Sequence, residues 1–373
     1  MEHVKNLPGL LKAKEGFKLD MIIGLDGFVD EIIHLVDKRQ DFQNFTRIRT
    51  IADFGARMSN AAGLSTNVEM VPVQVKLGGN GPILSNALLE YGVDLTYVGA
   101  LGKPAIHPVF EDMAKKAKAV YSICDAGHTD ACEFEDGKIM LGKLSSLTNL
   151  TWDACKNEMG GVEKIAEMVN KTDLFGMENW TMIPYMSDIW QGLIDEVFPL
   201  LKDRAVKPLA FFDLADPEKR TKEDIKRAMG LIGQFETKFR TILGLNEKEV
   251  YEIAEVLGVT LLEENKLKVA VMETAKKLGI YCLMVHPVRS ACCAIDGVYY
   301  ETDGPYCQKP KLTTGAGDNL NAGFCLGQAL GLDPLSSLTL GVCTSGYYVR
   351  NAKSPTFTDV VNFAQSWANG DVK

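Results

Sequence analysis

The chain has 373 residues, 46% of them hydrophobic and 24% charged, too long for a small stapled module and too apolar for a disordered chain. It fits one large α/β domain, or one domain with a small appendage. A net charge of −9, from 40 basic and 49 acidic residues, argues against a nucleic-acid groove, which needs a basic excess. No apolar run approaches the ~18 residues of a membrane helix, and the first residues show no apolar signal-peptide core. Nine cysteines, an odd count without Cys-x-x-Cys, sit mostly in apolar stretches such as those around Cys282 and Cys325. They read as reduced, buried thiols of a cytoplasmic protein.

In chain order, Leu19 to Leu25 predicts a first strand, and Asp30 to Lys38 predicts a helix or a turn leading outward. Thr66 to Leu77 predicts a strand with one polar face, because apolar residues alternate from Val71 to Leu77. A helix over Gly81 to Tyr91 is closed by Gly92, and Leu95 to Gly99 is a further strand. Asp136-Gly137 between two β-like runs, Ala131 to Glu135 and Lys138 to Gly142, predicts a hairpin. Regular βα units follow. Strands are expected at 173–177, 207–214, 240–245 and 280–285. Helices are expected at 187–200, 222–238, 247–257 and 263–278. A second Asp-Gly hairpin lies around Asp296-Gly297, and three helices close the chain, at 318–330, 336–349 and 358–368. This alternation implies an α/β fold with a mostly parallel sheet covered on both faces. The stretches 45–77 and 119–145 break the rhythm and predict a small separate sheet.

The most informative motif is Thr313-Thr314-Gly315-Ala316-Gly317-Asp318-Asn319. Two glycines lead into a helix, where unpaired N–H groups and the dipole make an anion site. An aspartate in its first turn sits where it would take a proton from a hydroxyl attacking a phosphate. The residues alone leave open a plain glycine turn with Asp318 as N-cap.

This motif is very similar to the C-terminal signature of the ribokinase-like (PfkB) carbohydrate kinases. Gly78-Gly79-Asn80-Gly81, Asn86-Ala87-Leu88, Tyr91-Gly92 and Val98-Gly99-Ala100-Leu101-Gly102 resemble the N-terminal signature, and Asn246-Glu247-Lys248-Glu249 resembles the family's Asn-x-x-Glu. The resemblance runs from about Leu19 to the C-terminus. It implies a single kinase domain over 1–373, a three-layer sandwich with a mostly parallel central sheet and a β-rich lid from 45–77 and 119–145. It implies transfer of the terminal phosphoryl group of a nucleotide, ATP with ADP left open, to a hydroxyl of a sugar. Asp318 would then be the base, and Gly315, Ala316 and Gly317 the anion hole. Asn246 and Glu249 would organise Mg²⁺ near the phosphates; a helix N-cap and its capping-box partner is the other reading of that pair. Asp30 fits the position of the sugar-binding aspartate, with Asp26 as second candidate, and both are also ordinary turn acids. Gly78 and Gly79 would let the backbone approach the sugar, and Thr314 would lie along the nucleotide.

Two departures from the family pattern stand out. Ile83 replaces an asparagine, so sugar contact would pass to Asn80, and His286-Pro287-Val288 replaces a Thr-x-Gly beside the nucleotide. His286 is then either a donor contact or a strand-end histidine. Arg220, after Asp213-Leu214-Ala215-Asp216, is a further candidate for phosphate. No P-loop, His-Glu-x-x-His, Gly-x-Ser-x-Gly or dinucleotide fingerprint occurs. A nucleoside or vitamin-precursor kinase of the same superfamily, and a silent ligand-binding regulator, are the other readings. Pairing of lid edges would give a homodimer, and neither nucleic acid nor membrane is expected as a partner.

Overall fold

The computed structural model describes residues 2–261 and 263–372. Its strands are β1 (Asp20–Leu25), β2 (Phe28–Arg39), β3 (Phe45–Arg47), β4 (Met70–Gly78), β5 (Asp94–Gly99), β6 (Ala119–Ser122), β7 (Gly127–Glu133) and β8 (Lys138–Lys143). They continue with β9 (Leu174–Met177), β10 (Leu209–Asp213), β11 (Arg240–Leu245), β12 (Cys282–Val285), β13 (Ser290–Ile295) and β14 (Val298–Asp303). Nine of them form one large sheet in the order β14-β13-β12-β11-β10-β9-β1-β5-β6. It is parallel from β6 to β12, and the second Asp-Gly hairpin adds β13 and β14 antiparallel at one edge.

The central strands are unbroken apolar text because both faces are covered. β9, β10 and β12 are buried along their whole length. Alternate residues serve opposite cores. Ile22, Phe175, Phe212, Leu243 and Leu283 pack with the helices between 152 and 278. Met21, Ile23, Leu174, Phe211, Ile242 and Met284 pack with helices Asn80–Glu90, Ala316–Ala329, Pro334–Asn351 and Phe357–Ala368. On the first face Trp190, Phe212, Phe235 and Phe198 meet edge to face at 4.9–5.0 Å, each pair adding about 0.5–1.5 kcal/mol beyond its buried area. The result is the expected three-layer α/β sandwich.

The small sheet is organised differently from the sequence reading. Its hub is β2, over the residues read as a helix or turn. β2 pairs antiparallel with β4 along Phe28–Leu35, antiparallel with β3 near its end, and parallel with β7, which continues to β8. A bulge between Ile32 and Ile33 shifts the register. This breaks the alternation of apolar residues that would have marked a strand. Within 45–77 the chain also forms a helix, Ile51–Asn60, capped by Thr50. Ala119–Ser122 belongs to the large sheet, beside β5. An N-terminal helix, Glu2–Lys12, and the pair Trp152–Met159 and Val162–Val169 add elements that the periodicity did not suggest.

Candidate active site

In a parallel sheet, ligands bind beyond the carboxyl ends of strands where the chain order reverses. Here the reversal falls at β1, which has β5 on one side and β9 on the other. Asp26 follows β1, Asn179 follows β9, Asp213 ends β10, Asn246 follows β11 and His286 follows β12. Five neighbouring strands thus deliver polar side chains to one end of the sheet. The helix Ala316–Ala329 starts there with Gly315 as N-cap (φ 89°) and Asp318 in its first turn. All but Asp26 of these groups line a cleft of about 620 Å³, whose other wall comes from the small sheet through Phe28, Asp30, Thr129 and Met140.

Asp318 is only 7% exposed. Its Oδ1 accepts from Asn80 Nδ2 at 3.1 Å. Burial, then the nearby Asp26 charge, pushes its carboxyl up to about 8 against that hydrogen bond. A proton acceptor near working pH results. Gly317 gives the imidazole of His286 its place, since a Cβ there would lie 3.0 Å from His286 Cε1. Gly315 and Gly317 line the cleft, while Ala316 and Gly317 line a second, largely apolar cavity of about 500 Å³ bounded by Pro305, Tyr306, Val342 and Val349. The two spaces meet at Asn246, His286 and Gly317.

Asp26 and Asp30 have separate places. Asp26 is fully buried and accepts from Asn80 N–H and Gly81 N–H, each at 2.9 Å, and from Asn179 Nδ2 at 2.7 Å. Burial raises it to about 6, and these three bonds oppose the rise. It holds the 78–81 turn closed: Gly79 sits at φ 96°, and a Cβ there would lie 2.8 Å from Asp26 Oδ2. Asp30 reaches the cleft from β2, opposite Thr129 of β7, which hydrogen-bonds it. Gly78 ends β4 beside Asp30, and Gly79 and Asn80 line the cleft.

Asn246 and Glu249 form a full capping box: Asn246 Oδ1 accepts from Glu249 N–H at 3.0 Å, and Glu249 Oε2 from Asn246 N–H at 2.8 Å. Glu249 Oε1 also accepts from Asp216 N–H at 2.9 Å. Burial raises its pKa from the ordinary value, against the two N–H groups it accepts. Among the described residues no three His, Cys, Asp or Glu side chains are grouped to cage a metal ion. His286 borders both spaces and a third groove beyond Pro287, and burial lowers it to about 4, so the ring is neutral. Arg220 is not brought to the cleft. Its guanidinium donates to the carbonyls of Thr181, Trp180 and Ile183 at 3.1, 3.2 and 2.8 Å and stacks 4.8 Å over Trp180. It braces the 180–184 loop.

Glu178 and Asn179 escaped the sequence reading, whereas the segment Asp213-Leu214-Ala215-Asp216 stood beside the Arg220 candidate. Asn179, Ala215 and Asp216 have φ of 63°, 59° and 61°. Such backbone at non-glycine positions is uncommon and gathers at functional sites; all three line the cleft. Asp213 accepts from Asn321 Nδ2 at 3.1 Å. Glu178 is fully buried, with neither carboxyl oxygen hydrogen-bonded. Burial, then the charges of Asp213, Asp318 and Asp26, raises its pKa well above the ordinary carboxylate value. The local signal at Asn179 and Asp216 was residue type, since Asn and Asp are the residues most tolerant of left-handed backbone; Ala215 carried none.

This architecture is the one shared by the ribokinase-like (PfkB) carbohydrate kinases. Arabidopsis thaliana ribokinase, solved with ribose and ATP, matches with a TM-score of 0.64 over 93% of this chain and 98% of its own, at 15% identity. A phosphofructokinase-2 variant from Escherichia coli matches with a TM-score of 0.64 over 94% and 99%, at 12% identity. At such identities the likeness is one of fold. Residues 5–367 match the sequence profile of prokaryotic ketohexokinase, and the chain belongs to that family. Ketohexokinase of Haloferax volcanii is 28% identical over 349 residues, 93% of this chain and 91% of that relative. The protein is a carbohydrate kinase.

Proposed function

We propose that the protein transfers the terminal phosphoryl group of ATP to a hydroxyl of a ketohexose, with Asp318 as general base. One observation carries this: a buried aspartate of raised pKa stands at a glycine-led helix start, between a polar cleft and an apolar cavity. The polar cleft takes the sugar, through Asp30, Gly78, Gly79 and Asn80, with Asp26 fixing the turn that carries them. The apolar cavity takes the base and ribose of the nucleotide, with Thr314, Asn246 and His286 along its phosphates. The sugar oxygen gives its proton to Asp318 and bonds to the terminal phosphorus; the bond to the leaving oxygen breaks and the nucleoside diphosphate departs. N–H groups of Gly315 and Gly317 stabilise the charge on the transferring group, while the Ala316 N–H donates to Thr313 O at 3.1 Å and holds the turn closed. Asn246 and Glu249 would hold a Mg²⁺ ion that neutralises charge on the nucleotide phosphates. With both Glu249 oxygens already accepting N–H groups, Glu249 and Asn246 suit its coordinated waters better than direct ligation.

We read residues 1–373 as one kinase domain whose small sheet closes over the sugar and excludes water. Exposed Val73 and Val75 on β4, 48% and 49% accessible, support pairing of two copies through that sheet. Nine unpaired cysteines suit a cytoplasmic setting; among the described residues no helix is long and apolar enough to cross a membrane. A coupled assay for nucleotide consumption tests the reading over ketohexoses, aldoses and nucleosides with ATP or ADP as donor. Highest turnover is expected for a ketohexose with ATP. Preference for a nucleoside, for ADP, or a melting shift with sugar but no turnover would contradict it.

A further inference from the structure

A turn of small residues stabilises a transferring phosphoryl group only if its N–H groups are held in place before the reaction. Here the restraint comes from behind. Tyr348 Oη donates to Thr314 O at 2.8 Å. Asn319 Nδ2 donates to Gly315 O at 2.9 Å, a carbonyl that also accepts the Asn319 N–H at 3.0 Å. Ser354 Oγ donates to Asn319 Oδ1 at 2.8 Å and so fixes which way that amide faces. Lys311 N–H reaches Val349 O at 2.8 Å, tying the approach to the turn to the same helix, Pro334–Asn351. Asn319 is wholly buried and Tyr348 8% exposed, and none of the three side chains lines the cleft or the apolar cavity.

The peptide plane makes these bonds matter. In a trans peptide the C=O and the following N–H point opposite ways. A hydroxyl pinning Thr314 O therefore aims the Gly315 N–H away from Tyr348, and the bonds on Gly315 O fix the next plane, whose Ala316 N–H closes the turn on Thr313 O at 3.1 Å. Gly315 leaves the room required: a Cβ there would lie 2.9 Å from Tyr348 Oη. Burial and the Asp318 charge push the phenol up to about 12, so the hydroxyl keeps its proton at any working pH.

We infer that Tyr348, Asn319 and Ser354 are positioning residues that set the anion-binding geometry of the 313–317 turn from the side away from both ligand spaces. The inference rests on the role proposed above for that turn. The test compares Tyr348→Phe, Ser354→Ala and Asp318→Asn, each checked by circular dichroism and melting. Tyr348→Phe removes one oxygen and keeps the ring. Its kcat is expected to fall about 10-fold, less than the ~10²–10³ for deleting an oxyanion donor outright, with KM for sugar and nucleotide within twofold. Affinity for ADP with aluminium fluoride and sugar, which mimics the transferring group, should fall by the same factor, while affinity for ADP alone stays constant. Ser354→Ala should shift the same quantities in the same direction by less. The inference is overturned if Asp318→Asn loses turnover but both other variants keep kcat within twofold, or if they raise KM and weaken ADP binding equally. If Asp318→Asn itself keeps full turnover, the underlying reading fails and this one with it.

Discussion

At Asp318, burial works against folding and for catalysis. Its carboxyl sits at about 8 in the folded chain against an ordinary 3.8. A carboxyl raised by folding adds stability below pH 3.8 or so, and that contribution is lost as pH rises through 8. Asp318→Asn has no charge to desolvate, so its melting temperature should exceed that of the wild type by a margin that widens from pH 5 to pH 9. A constant or shrinking margin would show that the carboxyl is not desolvated as described. Gly79 is a second residue-scale test. Its φ of 96° and the 2.8 Å approach to Asp26 predict that Gly79→Ala destabilises the fold by about 1–3 kcal/mol in urea denaturation from backbone strain alone, and raises KM for the sugar. Asp318 and the glycines around it were legible in the sequence because the motif is contiguous. Glu178 and Asn179 were not: each is one polar residue just past the end of an apolar strand, and only the order of strands brings them to the site.

Among the elements, those with strict patterns were readable. The alternation in β4, the two Asp-Gly hairpins and the capped helix after β11 all stand where periodicity and turn chemistry put them. β2 was not readable, because its bulge at Ile32 and Ile33 leaves apolar spacings that mimic a helix. The helix Ile51–Asn60 was hidden for another reason: it is short, none of its residues is fully buried, and only Ile51 and Phe54 pack on the small sheet's core. The capping box at 246–249 joins an element's stability to the site. Asn246→Ala should lower stability by about 0.5–2 kcal/mol, as loss of an N-cap does, and raise KM for the nucleotide, because Glu249 loses its fixed position. Calorimetry and initial-rate kinetics check the two effects separately. Loss of stability with unchanged nucleotide KM would leave Asn246 as a cap alone.

For the whole molecule, the sheet order turns five separate strand ends into one site, and the small sheet supplies the facing wall. Its exposed apolar face on β4 predicts a dimer in sedimentation, and Val73→Lys with Val75→Lys should give monomers; a wild-type monomer would contradict pairing through that sheet. The central claim is that proton transfer to Asp318 accompanies phosphoryl transfer across this cleft. It is tested most directly by kcat/KM for a ketohexose as a function of pH, in the wild type and in Asp318→Asn. The wild-type value should rise as pH passes through about 8, the position of Asp318 in the free enzyme. The variant should lose that rise and stand lower by roughly 10²–10⁴. A variant within tenfold of the wild type, with the same pH profile, would contradict the account.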